Sequence, residues 1–224
     1  MKRKEILIFD GAFGTYYHKT GNPDLRCELA NLDDRDTVLR IHSEYISAGV
    51  NSGLSADFAE IRKVIRSGYA LAKEAAKGKE VRVFADLGPL PFSELPSDEG
   101  QAVKEYLRLV GEFLDLGAKD FLFETLADVQ DVLPAVRLIK ERVPESTVAV
   151  SFAVSQDGYT GLGLSYRRLI PLAAEGGADL VGLNCVCGPV HMLQLLKKLN
   201  PAQCPYPLLA MPNAGYPADR KSVV

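Results

Sequence analysis

The chain has 224 residues, with 26 basic and 29 acidic side chains, a formal charge of −3, and 47% hydrophobic against 25% charged residues. These proportions belong to a folded globular domain; they exclude a disordered chain, and without a basic excess nucleic acid is not an expected partner. The apolar run nearest the start, Ile6 to Phe9 behind Lys2, Arg3, Lys4 and Glu5, is too short for a signal-peptide core or a membrane span, so a cytoplasmic protein with no membrane partner is expected. Four cysteines, Cys27, Cys185, Cys187 and Cys204, are too irregularly spaced for a disulfide framework and read as buried thiols or metal ligands.

Along the chain, short β-rich runs alternate with amphipathic stretches. Ile6 to Phe9 reads as a strand ending at Asp10-Gly11. Thr37 to Ala48 carries apolar residues at Val38, Ile41, Tyr45 and Ala48, the spacing of a helix, which Gly49 stops. Val50 to Ser55 is a weaker strand, followed by a helix over Glu60 to Lys77. The unit then recurs: strands over Val81 to Ala85, Phe121 to Phe123, Val148 to Val154, Leu180 to Leu183 and Pro207 to Ala210 alternate with helices over Val103 to Leu116, Val129 to Arg142, Tyr166 to Ala174 and His191 to Leu199. Strands separated by helices of this length require crossovers and a parallel sheet. A doubly wound sheet and a (β/α)8 TIM barrel both fit the alternation; with about seven βα units and no linker, residues 1–224 read as one domain one unit short of a barrel.

Polar groups stand directly after apolar strands at Asp10, Asp86, Glu124 and the pair Asn184-Cys185. In a parallel barrel such positions surround one mouth, so residues distant in sequence converge on one pocket. Any one of these carboxylates taken singly reads rather as an N-cap for the helix that follows. Asp10-Gly11-Ala12-Phe13-Gly14-Thr15 has glycines that let backbone N–H groups approach an anion, and reads either as a carboxylate-binding turn or as a plain tight turn. It lacks the Lys-Ser/Thr ending of a Walker loop and the third glycine of the dinucleotide fingerprint. Cys185 has Cys187 and His191 nearby in sequence, but that spacing is not a usual zinc pattern, and on the residues alone Cys185 reads as a buried structural thiol. His42 and His18 read as a helix-packing and a loop histidine.

Taken together, the motifs resemble the homocysteine S-methyltransferase family, the zinc barrel of cobalamin-dependent methionine synthase and of the betaine– and S-methylmethionine–homocysteine methyltransferases. Asp10 to Thr15 resembles the opening DG-x-MGT signature with Phe13 in place of Met. Cys27 to Asn31, with Ile41 to Tyr45 and Ala48-Gly49, is similar to the first helix region. Phe123-Glu124-Thr125 resembles the IET segment, Gly182 to Cys185 with Gly188-Pro189 the G-x-NC-x-x-GP motif, and Pro212 to Gly215 the PNAG turn. The resemblance implies transfer of a methyl group to the zinc-activated thiolate of homocysteine, giving methionine. It implies Cys185 as a zinc ligand and catalytic residue. It further implies Asp10 and Glu124 on the amino acid's ammonium, the segment through Gly11, Gly14 and Thr15 at its carboxylate, Thr125 as a further substrate-binding residue, and Asn184 shaping the site. The donor is left open among S-methylmethionine, betaine, and a methylcobalamin or methylfolate carried by a partner.

Two departures stand out. Where the family carries TNTF, this chain reads Ser55-Ala56-Asp57-Phe58, and it reaches Val224 without the later GG-CC segment that supplies two further cysteine ligands. The expectation is therefore a barrel domain truncated at its C-terminus, with two of three zinc ligands missing and open parallel edges that would favour a homodimer or aggregation. The rival reading is a non-catalytic amino-acid-binding or scaffold remnant of the same fold. An aldolase-like barrel ranks below both, because no lysine stands at a strand end for a Schiff base.

Overall fold

The structure, a computed structural model, describes residues 9, 13–22, 24–27, 29–44, 48–50, 58–90, 100–201 and 204–213. It divides into two compact units, the first made of residues 1–49 and 56–83 and the second of 50–55 and 84–224. The expected strand over Ile6 to Phe9 lies outside the described residues except for Phe9, which is not in a strand.

The first unit is helical: α1 (Phe13–Thr20), α2 (Ala30–Asp33), α3 (Arg35–Glu44) and α4 (Phe58–Ala76). Tyr17, Ala30, Val38, Ile41 and Leu71 form its core. The Tyr17 hydroxyl, the polar end of a fully buried ring, donates to Asp34 at 2.9 Å, which satisfies the group that burial would otherwise strand. Phe13 stacks on buried His42 with ring centroids 5.1 Å apart, so His42 packs as expected, whereas His18 lies in α1 and not in a loop. The helix expected to run to Ala48 is described as far as Glu44, residues 45–47 lie outside the described residues, and β1 (Ala48–Val50) takes Ala48 together with Gly49. An apolar spacing of three and four does not by itself distinguish the last helical turn from a short strand after it.

The second unit alternates strand and helix throughout: β2 (Phe84–Leu87), α5 (Gln101–Asp115), β3 (Asp120–Leu126), α6 (Leu133–Arg142), β4 (Thr147–Phe152), α7 (Tyr166–Glu175), β5 (Leu180–Asn184), α8 (Pro189–Lys197) and β6 (Leu208–Met211). Strands β2 to β6 lie side by side in sequence order, with β2–β3, β3–β4, β4–β5 and β5–β6 all paired in parallel. That consecutive order is the wall of a (β/α) barrel; a doubly wound sheet reverses its order at a switch point. Val148, Ala149, Val150, Ser151 and Phe152 of β4 are all fully buried, as a strand covered on both faces must be. Gly182 in β5 is required by the approach of β6, since a Cβ there would collide with the Leu209 carbonyl. Helix α6 starts at Leu133, later than the expected Val129, because Pro134 has no N–H to give and fits only the first turn.

Candidate active site

The site grows from the carboxyl ends of β3 and β5. β3 slips register against β4 between Phe123 and Leu126, and Thr125 within the slip has φ 61°. This irregularity removes Glu124 and Thr125 from the regular alternation of the strand. β5 ends at Asn184, which is 1% exposed. Its carboxamide must be fully bonded at that depth, and four bonds achieve this. Oδ1 accepts from the Thr125 backbone N–H at 2.8 Å and from the Ser151 hydroxyl at 2.9 Å. Nδ2 donates to Thr125 Oγ1 at 2.7 Å and to Cys185 Sγ at 3.2 Å. The Thr125 N–H dictates the orientation, since a flipped amide would set donor against donor. One side chain thereby joins β3, β4 and β5 and aims an N–H at the Cys185 sulfur.

Cys185 is half-buried. Burial pushes its thiol above the ordinary range, and the charges of Glu124 and Asp86 push the same way, while the hydrogen bonds from Thr125, at 4.0 Å, and from Asn184 pull it down. These groups therefore share one environment: two carboxylates, one thiol, and hydroxyl and amide donors. A thiol beside two carboxylates stays protonated more readily than a free cysteine, so a cation placed among them would favour the thiolate.

Glu124, Thr125, Asn184 and Cys185 are brought together. Asp86, noted as a strand-end carboxylate, joins them through its charge on Cys185. Asp10 and Gly11 lie outside the described residues. Gly14 and Thr15 lie in the first turn of α1, so the expected tight turn does not extend through them. Ser151 was not singled out from the sequence. The signal was one polar residue interrupting the buried run Val148 to Phe152.

A metal tests differently. Catalytic zinc takes three protein donors, and among the described residues no group of three or more His, Cys, Asp or Glu could hold a metal ion. Cys187, the other thiol of the loop, is 1% exposed and donates its S–H to the Val154 carbonyl at 3.1 Å. The described residues thus present one thiol to the site and do not make a zinc donor set.

The fold and the site define a parallel α/β protein of barrel type with a thiol at its strand ends. The sequence profile of the homocysteine S-methyltransferase family matches residues 7–223, and the chain belongs to that family. It is similar to the methionine synthase of Mycobacterium tuberculosis, 27% identical over 245 aligned positions that cover 96% of this chain and 20% of the relative. It is also similar to the S-methylmethionine–homocysteine S-methyltransferase BHMT2 of Pongo abelii, 25% identical over 204 positions that cover 86% of this chain and 55% of the relative. The chain therefore spans about a fifth of the one and about half of the other. The metallated form of the homocysteine methyltransferase MmuM from Escherichia coli matches it with a TM-score of 0.71 at 18% identity, over 95% of this chain and 85% of that one, a likeness of fold. No helix among the described residues is long and apolar enough to cross a membrane.

Proposed function

We propose that the chain binds homocysteine at the ends of β3 and β5 as the acceptor in a methyl transfer that yields methionine. The observation that carries this reading is the hydrogen-bonded cluster of Thr125, Asn184 and Cys185 with the charge of Glu124 acting on its thiol, in a chain of this family. The Glu124 carboxylate would take the substrate ammonium, which neutralises one of the two charges that keep the neighbouring thiol protonated. Asn184 and Thr125 would hold their N–H and O–H groups toward sulfur, where an anion is favoured. In the transfer the substrate thiol loses its proton, its sulfur forms a bond to the methyl carbon, and the donor leaves with the electron pair of the bond it breaks.

A second reading, amino-acid binding without transfer, is favoured by one observation: the described residues bring a single thiol to the site. Two measurements on the full chain separate the two. Isothermal titration with L-homocysteine should give saturable binding that Glu124→Gln weakens by roughly tenfold, the loss of one charge-assisted contact of about 1.5 kcal/mol. Incubation with homocysteine, zinc and S-methylmethionine should then yield methionine. Binding without methionine formation, for this donor or for betaine, supports the second reading, and absence of binding refutes both.

A further inference from the structure

Successive side chains of a strand point to opposite faces, so Asn184 and Cys185, neighbours at the end of β5, should diverge. They do not: Nδ2 and Sγ lie 3.2 Å apart and both meet Thr125. The backbone explains it. Cys185 and Val186 both have φ 54°, two consecutive left-handed residues that fold the chain back and bring the thiol round to the side of Asn184. A left-handed β-branched residue is an outlier among protein backbones. Packing gives no reason for a valine there, because Val186 is 46% exposed. The Cys187 N–H closes back on the Cys185 carbonyl across Val186, and the segment is held from outside as well. The Cys185 N–H donates to the Met211 carbonyl at 3.0 Å, the Asn213 N–H to the Cys187 carbonyl at 3.1 Å, and the Cys187 thiol to the Val154 carbonyl. The ends of β4 and β6 thus fix a conformation that the sequence of the turn disfavours, and this strain coincides with the site.

We propose that Val186 is a positioning residue for the methyl-acceptor site: its left-handed backbone holds the Cys185 thiol beside Asn184 and Thr125. The assignment rests on the functional reading only for what the thiol faces; the positioning itself is tested without it. In the full chain, treated with EDTA, Val186→Gly and Val186→Asn supply residues that accept the left-handed region. Each should raise the thermal midpoint by roughly 2–4 °C and leave the rate of Cys185 alkylation by iodoacetamide, followed by peptide mass spectrometry, within about twofold. Val186→Pro fixes φ near about −65°. There the thiol should swing from its partners, and its alkylation rate should rise by about fivefold or more.

A midpoint that fails to rise in the Gly and Asn variants, or an unchanged alkylation rate in the Pro variant, would overturn the proposal. Should the Pro variant fail to fold, the Gly and Asn midpoints decide it: a rise supports the assignment, and no change or a fall refutes it. Homocysteine titration run alongside separates the two readings. A wild-type chain that binds no homocysteine defeats the functional assignment, while the midpoints and alkylation rates still judge Val186.

Discussion

Replacing Asn184 by alanine tests whether its carboxamide holds three strands together. The substitution deletes the acceptor of the Thr125 N–H and of the Ser151 hydroxyl, and the donor to Thr125 Oγ1. The two hydroxyls can rotate toward other groups. The Thr125 N–H cannot, and an orphaned buried donor costs about 1–3 kcal/mol, against about 0.5–1.5 kcal/mol net for an ordinary hydrogen bond. Counting the amide at the middle of its range and the two hydroxyl bonds at the lower end gives a loss of about 3 kcal/mol. For a domain of this size that is a fall of roughly 6–12 °C in thermal midpoint.

Because the chain has two compact units, global melting should be accompanied by a local probe. Native-state hydrogen exchange of the Thr125 amide serves, since that N–H donates to Asn184 Oδ1, and protection there should fall by more than tenfold. Ser151→Ala removes one bond and should cost about 0.5 kcal/mol alone but much less in the Asn184→Ala background, a coupling of about 0.5 kcal/mol. Strict additivity of the two substitutions, or an Asn184→Ala chain that melts with the wild type and retains Thr125 protection, would refute the bridge.

Two further outcomes concern charge. Glu124 helps to hold the Cys185 thiol in its protonated form, so Glu124→Gln should lower the thiol's pKa and speed its alkylation at mildly alkaline pH; an unchanged rate-against-pH profile would separate the two residues. Asp131 has its carboxyl pushed above the ordinary range, first by burial and then by the charge of Asp128. A carboxyl whose folded pKa is raised favours the folded state below its unfolded pKa, and that contribution is lost as pH rises through the folded value. Asp131→Asn should therefore raise the urea midpoint at neutral pH, with the gain disappearing below about pH 4; a gain that persists in acid would place the effect outside titration.

The sheet was legible because its signal is local. A buried run such as Val148 to Phe152 has few alternatives to a strand, and α5 and α7 fall within two residues of their expected spans. Helices α1 and α2 were not. The α1 segment FGTYYHKT is made of residues with indifferent helix propensity, and burial of Tyr17 with its bond to Asp34 contributes what local preference does not. At the site, Glu124, Asn184 and Cys185 stood out because polar residues after apolar strands are few. The role of Asn184 could not be read, since its partners lie 59 and 33 residues away. Ser151 looked like one tolerated hydroxyl in a buried strand until its acceptor was in view.

The left-handed residues show why a barrel wall can carry such a site. Among the described residues four non-glycine positions have positive φ: Thr125, Cys185, Val186 and Asn200. Asn200 follows α8, and asparagine tolerates that region. The other three gather where β3 and β5 end. At about 1–2 kcal/mol each they cost about 3–6 kcal/mol. The four hydrogen bonds of Asn184, at about 0.5–1.5 kcal/mol net each, return about 2–6 kcal/mol. The two sums are comparable, so the cluster contributes little to overall stability, and its bonds are largely spent on holding strained backbone in place. Relaxing the strain without the bonds, as in Val186→Gly, should stabilise the chain. Removing the bonds, as in Asn184→Ala, should destabilise it by up to the value of those bonds, about 3 kcal/mol, with any relaxation of the left-handed turn reducing that loss. The opposite signs of these two substitutions, one on each side of Cys185, are the signature of a strained site held by its neighbours.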